Sequence, residues 1–229
     1  MTSASDRLAG DRIDYLTGAL ADHAPADPLT LFDAWLQEAF DRRESHGDIT
    51  DPTAVVLSTI AQDENGTSWP RSRTVLLKGL DARGAVIYTN LASDKAHELV
   101  ESPRAALLLP WYPLQRQVRL EGTVTPVPDE ESDAYWASRP RGSQLGAWAS
   151  HQSRPIDSRE TLEAQYVEVE ARFEGQEVPR PEFWGGLRIR PVRFEFWQGR
   201  AHRVHDRIVY TRTAGPAAAD AWERHRLQP

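Results

Sequence analysis

The 229-residue sequence predicts a mainly β architecture, an antiparallel sheet that closes into a barrel and carries helical insertions. Three observations point there. Segments rich in β-branched and apolar residues follow one another between residues 54 and 127, mostly through short connections, which favours antiparallel pairing over crossover units. Residues 128–174 then change to helical patterning. Strand-like segments resume afterwards, so helices interrupt the sheet rather than alternate with its strands.

Each element has a local reason. Residues 1–10 are small and polar and read as a flexible arm, with a short helical pattern over 12–20. Asp27-Pro28 is a helix start, with Asp27 as cap and Pro28 in the first turn. Behind it Leu31, Phe32, Trp35, Leu36, Ala39 and Phe40 share one helical face, a stripe suited to a core. Residues 54–61 read as a strand, followed by a hairpin-type Asn65-Gly66 turn. Further strands are expected over 73–80, 85–90, 105–111 and 115–127, with a short helix at 95–101.

Pro128-Asp129-Glu130-Glu131 opens a helix with acidic residues at its positive end, and 158–173 forms another. A Pro- and Gly-rich connector (175–186) leads to strands at 187–197 and 203–212, a loop at 213–220 and a terminal strand at 222–227. The organisation expected is an arm (1–24) and one domain (25–229) with a helical insertion at about 128–174.

Composition excludes several functions. The chain has no cysteine, which removes disulfides, thiolate catalysis and cysteine-held metal centres. A net charge of -7 argues against nonspecific nucleic-acid binding, though an acidic chain can still hold a local basic pocket. No apolar run approaches bilayer-spanning length, and the polar start lacks a signal-peptide stretch. The expectation is a cytoplasmic protein with no nucleic-acid or membrane partner.

Three constellations could carry chemistry. If 203–212 is a strand, Arg203, His205 and Arg207 project to one side. Cations so gathered repel one another unless an anion sits among them, and a phosphorylated ligand would supply it. A solvated face with paired carboxylates is the alternative, and spacing does not decide between them. A metal at His202 and His205 is disfavoured, because an odd separation sends them to opposite faces and nearby arginines repel a cation.

In Arg73-Thr74-Val75-Leu76-Leu77-Lys78, two cations bracket an apolar strand, about 16 Å apart at the strand rise. That span suits the two ends of a mononucleotide flavin, although strand-end cations often simply face water. Tyr135-Trp136-Ala137-Ser138-Arg139-Pro140-Arg141-Gly142-Ser143-Gln144 sets a phenol, guanidiniums and hydroxyls at a helix break, a ready phosphate cradle. No Gly-rich phosphate loop or dinucleotide fingerprint is present.

Together with Tyr88-Thr89-Asn90, Arg116-Gln117-Val118, Gly146-Ala147-Trp148-Ala149-Ser150 and Phe196-Trp197-Gln198-Gly199, these strings resemble, in order, the pyridoxamine 5′-phosphate oxidase family. The likeness runs from about Pro25 to Pro229. It implies a homodimeric split β-barrel with FMN sites at the subunit interface. It further implies flavin contacts from Arg73, Thr74, Val75, Leu76, Leu77, Lys78, Tyr88, Thr89, Lys95, Gln117, Gln152, Ser153, Trp197 and Arg207. The substrate phosphate would be held by Lys78, Tyr135, Arg139 and Ser143, with Arg203 and His205 at the reacting ring and Arg12 and Tyr15 on a covering arm.

The implied reaction passes a hydride from the carbon bearing the vitamer's amine or alcohol to the flavin, and dioxygen then restores the flavin with release of hydrogen peroxide. Arg203 and His205 would orient the substrate, with His205 also suited to accept a proton. Rival readings are a phenazine-pathway type of oxidase and a non-catalytic module holding flavin, haem or pyridoxal 5′-phosphate. One departure stands out. Where the family usually has Ser-Arg-Lys, this chain has Ser93-Asp94-Lys95, exchanging an attraction for a flavin phosphate for a repulsion. The milder expectation is that Asp94 turns outward and caps a helix beginning at Lys95.

Overall fold

The computed structural model describes Tyr15, Leu20, residues 24–213 and residues 221–229. The arm over 1–14, the helical pattern assigned to 12–20, Arg12 itself and most of the loop at 213–220 therefore lie outside the described residues, apart from Tyr15, Leu20 and Thr213.

Helix α1 (Pro28–His46) forms as its start signal predicts: the Asp27 carboxylate accepts the Leu29 N–H at 3.0 Å, and Gly47, at φ 69°, closes the far end. Nine strands follow in an open antiparallel sheet: β1 (Ala54–Gln62), β2 (Ser68–Leu76), β3 (Gly79–Asp81), β4 (Gly84–Asn90), β5 (Arg104–Trp111), β6 (Arg116–Pro126), β7 (Trp184–Gln198), β8 (Asp206–Arg212) and β9 (Trp222–Leu227). Their hydrogen-bonded order is β2-β1-β5-β6-β7-β4-β3, with β8 beside β7 and β9 beside β8. Helices α2 (Asp94–Glu101), α3 (Asp129–Ser138), α4 (Arg141–Ala149) and α5 (Arg159–Arg172) interrupt the strands.

Three sequence expectations are corrected. The strand expected over 73–80 ends at Leu76, because the Leu77 N–H turns to Thr53 O (2.9 Å) and the Lys78 N–H to Val86 O (2.8 Å). The chain thereby leaves β1 to pair with β4 as β3, so the straight-strand spacing of Arg73 and Lys78 does not apply. The strand expected from Arg203 starts at Asp206, after a 3-10 turn over Ala201–Arg203. Helix α2 begins at Asp94, not Lys95, with Ser93 in the cap position.

The chain folds as two compact units, each assembled from separated segments. Among the described residues, one comprises those within 1–52, 109–119 and 193–229, and the other comprises 53–108 and 120–192. In the first, the apolar stripe of α1 buries Leu31, Phe32, Trp35 and Ala39. Trp35 meets Phe196 edge-on at 5.3 Å and Phe32 lies 6.2 Å from Trp111. In the second, Val55, Leu57, Ile87, Leu107 and Ile189 are almost fully buried on the sheet, while Trp136, Leu145, Phe173, Val178 and Trp184 form a core among the helices. The Trp136 indole N–H is satisfied by Val178 O at 2.8 Å, which permits that burial. Among the described residues no helix is long and apolar enough to cross a membrane.

Candidate active site

A cleft of about 580 Å³ opens within the second unit. Its lining brings together Thr74, Val75, Leu76, Lys78, Tyr88, Thr89, Lys95, Tyr135, Arg139, Ser143 and Gln152, all expected from the sequence, and adds Asn90, Pro140, Gly146, Ala147, Ser150 and Trp184. Among the described residues three cations and no carboxylate line this cavity, in a chain whose net charge is -7.

Strand β4 and helix α2 position one end. Lys95 sits in the first turn of α2, where its ammonium donates to Thr89 Oγ1 (3.2 Å), Ser93 Oγ (3.0 Å) and Gln152 Oε1 (2.7 Å), all neutral oxygens. Burial, and then the charge of Arg73, push the Lys95 pKa below its ordinary value. A bound anion would relieve both effects.

The other end rests on stacked rings. Tyr88 lies 4.0 Å from Tyr135 and 5.5 Å from Trp184 in near-parallel stacks, and the Arg139 guanidinium sits 4.8 Å from the Trp184 ring. The absence of a side chain at Gly186 makes this possible, since a Cβ there would fall 2.7 Å from Tyr88 Cε1. Burial lowers the Arg139 pKa, and its Nε is buried with no hydrogen-bond partner among the described residues. Its Nη2 donates to Ser143 O at 2.9 Å. An unpartnered guanidinium nitrogen, an ammonium held by neutral oxygens and a carboxylate-free lining fit the acidic phosphate of a ligand such as FMN.

Other expected residues stand apart from this lining. Arg73 donates to Thr59 Oγ1 (2.5 Å) and to the buried Glu98 carboxylate (2.7 Å). Burial alone would raise the Glu98 pKa, but the Thr59 and Arg73 hydrogen bonds hold it below its ordinary value. Leu77 is buried in the core. Ser153 lies outside the lining, its hydroxyl accepting the Asp94 N–H at 3.3 Å. Asp94 does face solvent, as the milder expectation had it, but it does not cap α2; its carboxylate pairs with Arg154 at 2.9 Å. Nothing in the local sequence announced Arg154 as that partner.

In the first unit, Trp197 and His205 lie 4.7 Å apart, with Tyr15 at 5.7 and 5.5 Å from them. His205 Nδ1 accepts the Arg200 N–H at 3.1 Å, so the neutral ring carries its proton on Nε2. Burial and then the Arg203 charge lower the His205 pKa. The common strand face expected for Arg203, His205 and Arg207 is corrected: Arg203 is exposed in the turn at φ 61°, and the Val204 N–H bond to Ala201 O (3.2 Å) closes that turn before the strand begins. Arg207 is on β8, paired to Glu195 at 2.9 Å and donating to Gln228 O at 3.0 Å. Gln117 is half-buried on β6.

Comparison with known proteins gives a consistent result. Residues 43–173 match the family described as pyridoxamine 5′-phosphate oxidase, and residues 184–229 match the pyridoxine 5′-phosphate oxidase C-terminal dimerisation region. A pyridoxine/pyridoxamine 5′-phosphate oxidase of Rubrobacter xylanophilus is 52% identical over 223 residues, covering 97% of this chain and 96% of that one. One from a Nocardioides species is 49% identical, covering 97% and 98%. Among solved structures, PhzG from Burkholderia lata 383, in complex with tetrahydrophenazine-1-carboxylic acid, superposes with a TM-score of 0.78 at 32% identity, covering 91% of this chain and 95% of that one. Fold and comparisons first define a class: a homodimeric split-barrel protein with a C-terminal dimerisation region. Within that class, this chain belongs to the pyridoxamine 5′-phosphate oxidase family of oxidoreductases.

Proposed function

We propose that this protein is a cytoplasmic FMN-dependent oxidase that converts pyridoxamine 5′-phosphate, pyridoxine 5′-phosphate or both to pyridoxal 5′-phosphate. The observation that carries this reading is the cleft with three cations and no carboxylate. Lys95, with Thr89 and Gln152, holds the flavin phosphate, with Arg73, paired to Glu98, close enough to act on the Lys95 charge. Lys78, Tyr135, Arg139 and Ser143 take the vitamer phosphate. The chemistry that FMN would supply when bound is acceptance of a hydride from the carbon bearing the amine or hydroxyl, the electron pair passing on to dioxygen to give hydrogen peroxide; the alcohol becomes the aldehyde on losing its hydroxyl proton, and the amine does so once water releases ammonia from its imine.

The protein's part is orientation and charge. Arg139 is pre-set by ring stacking and by its bond to Ser143 O, so little freedom is lost when it meets an anion. His205 and Arg203 serve the reacting ring. Its lowered pKa favours the neutral ring, whose Nε2–H can orient the substrate as a hydrogen-bond donor while Nδ1 is held by the Arg200 N–H. Residues 25–229 act as one functional domain with the insertion about 128–174.

The likeness to PhzG supports a second reading, oxidation of a ring carboxylic acid, since Arg139 would also pair with a carboxylate. Anaerobic mixing separates them: pyridoxamine 5′-phosphate should bleach the flavin absorbance rapidly, and a phosphate-free ring acid should not. The reverse order would reassign the substrate. A flavin spectrum that neither compound bleaches would leave a binding module.

A further inference from the structure

Asp94 and Arg154 do not line the cleft, yet they join the two segments that do. Gln152 reaches Lys95 at 2.7 Å, and the Ser153 hydroxyl accepts the Asp94 N–H at 3.3 Å. Arg154 Nη2 donates to the Asp94 carboxylate at 2.9 Å and to Ala92 O at 3.4 Å. Three consecutive residues of the segment after α4 are thus fastened to the first turn of α2. That segment is not an extended strand: Ser153 holds φ 70°, and the Arg154 N–H bond to His151 O (3.0 Å) folds it into a turn. A non-glycine residue in the left-handed region persists only where its surroundings over-determine it.

The geometry points to the Asp94–Arg154 pair as a clamp that holds Gln152 and Ser153 over Lys95 and so positions the cofactor-phosphate end of the cleft. Both are positioning residues, not contacts. Asp94, which beside a phosphate looks like a handicap, contributes through Arg154: its charge is answered by a cation from the segment that must be kept in place. The inference rests on the FMN reading of the cleft proposed above.

The test is a titration of the FMN-free protein with FMN, followed by flavin fluorescence, in Asp94→Asn, Arg154→Gln and their double variant. The two side chains are about half exposed, at 45% and 51%, so each single change is expected to weaken binding by about two- to fivefold. The double variant should be no weaker than either single one, because one interaction is lost in all three. Arg154→Lys, which keeps the charge, should recover part of the affinity. Hydrogen exchange at the amides of residues 151–154, measured without FMN, should quicken in both single variants.

Tighter binding by Asp94→Asn would mean that Asp94 merely repels the phosphate, and would overturn the clamp. Additive losses in the double variant, or unchanged exchange at 151–154, would overturn it as well. If the unaltered protein does not bind FMN, the functional reading fails, while the exchange experiment still decides the clamp.

Discussion

Two arginine-rich regions of this molecule look alike in sequence and differ in what answers their charge. In the first unit the buried Glu195 accepts from Arg119 (2.9 Å), Arg193 (3.0 Å) and Arg207 (2.9 Å). Burial would raise its pKa, but the Arg207 hydrogen bond and the Arg119 charge keep it low, so the carboxylate stays ionised among its cations. In the second unit, Lys78, Lys95 and Arg139 line a cavity that has no carboxylate in its lining among the described residues. In the first arrangement a buried carboxylate of the chain itself accepts from all three guanidiniums. The second is a set of donors whose anion must come from outside. What marks a binding site is therefore the missing counter-charge, not the number of cations.

That contrast can be broken or sharpened by substitution. The largest effect is expected from Glu195→Ala, which removes the buried carboxylate that three guanidiniums share and should cost about 3–5 kcal/mol of folding stability in a urea titration. A loss under about 1 kcal/mol would show that solvent already satisfies those arginines and would erase the contrast. Arg139→Met should do the opposite. It removes a partly desolvated cation with an unpartnered Nε, so stability should hold or rise. The KM for the phosphorylated substrate should rise about 10- to 100-fold, the worth of a charge-assisted hydrogen bond.

The smallest effect belongs to Lys95→Met and is read from pH. Lys95 has a folded pKa below its unfolded one, so the unfolded chain binds the extra proton between the two values. Its handicap to folding is fully present below the folded pKa and gone above the unfolded value of about 10.4. The variant should thus be slightly more stable than the parent at neutral pH, with the gap closing as pH rises through that window. A gap that widens would mean that the Lys95 charge is stabilised in place.

Much of the fold was legible because its signals are local. Asp27-Pro28 and the stripe from Leu31 to Ala39 mark α1 by neighbours in sequence, and the alternating strands read the same way. The cleft was legible as residue types in an ordered set of strings. The counter-charges were not. Arg73 meets a glutamate 25 positions away and Arg119 one 76 positions away, pairings that only the folded chain creates. The turn at Ala201–Arg203 was hidden for a related reason: Gly199 N–H bonds to Gln115 O (2.7 Å), a distant carbonyl that fixes where β7 ends. Trp184 gave no signal either, since its place beside Tyr88 depends on the small residue two positions on, Gly186.

The segmented make-up of the first unit has a consequence for synthesis. Its N-terminal part is held by residues far along the chain: Tyr210 donates to Pro25 O at 2.7 Å, 185 positions away, and Arg226 to Leu20 O at 2.9 Å, 206 positions away. While the ribosome is still making the middle of the polypeptide, α1 has emerged with its aromatic stripe and without Phe196 to cover it. Closure of that core waits for nearly the whole chain, and premature termination anywhere before β7 leaves Trp35 without Phe196, a sticky surface for quality-control machinery to find.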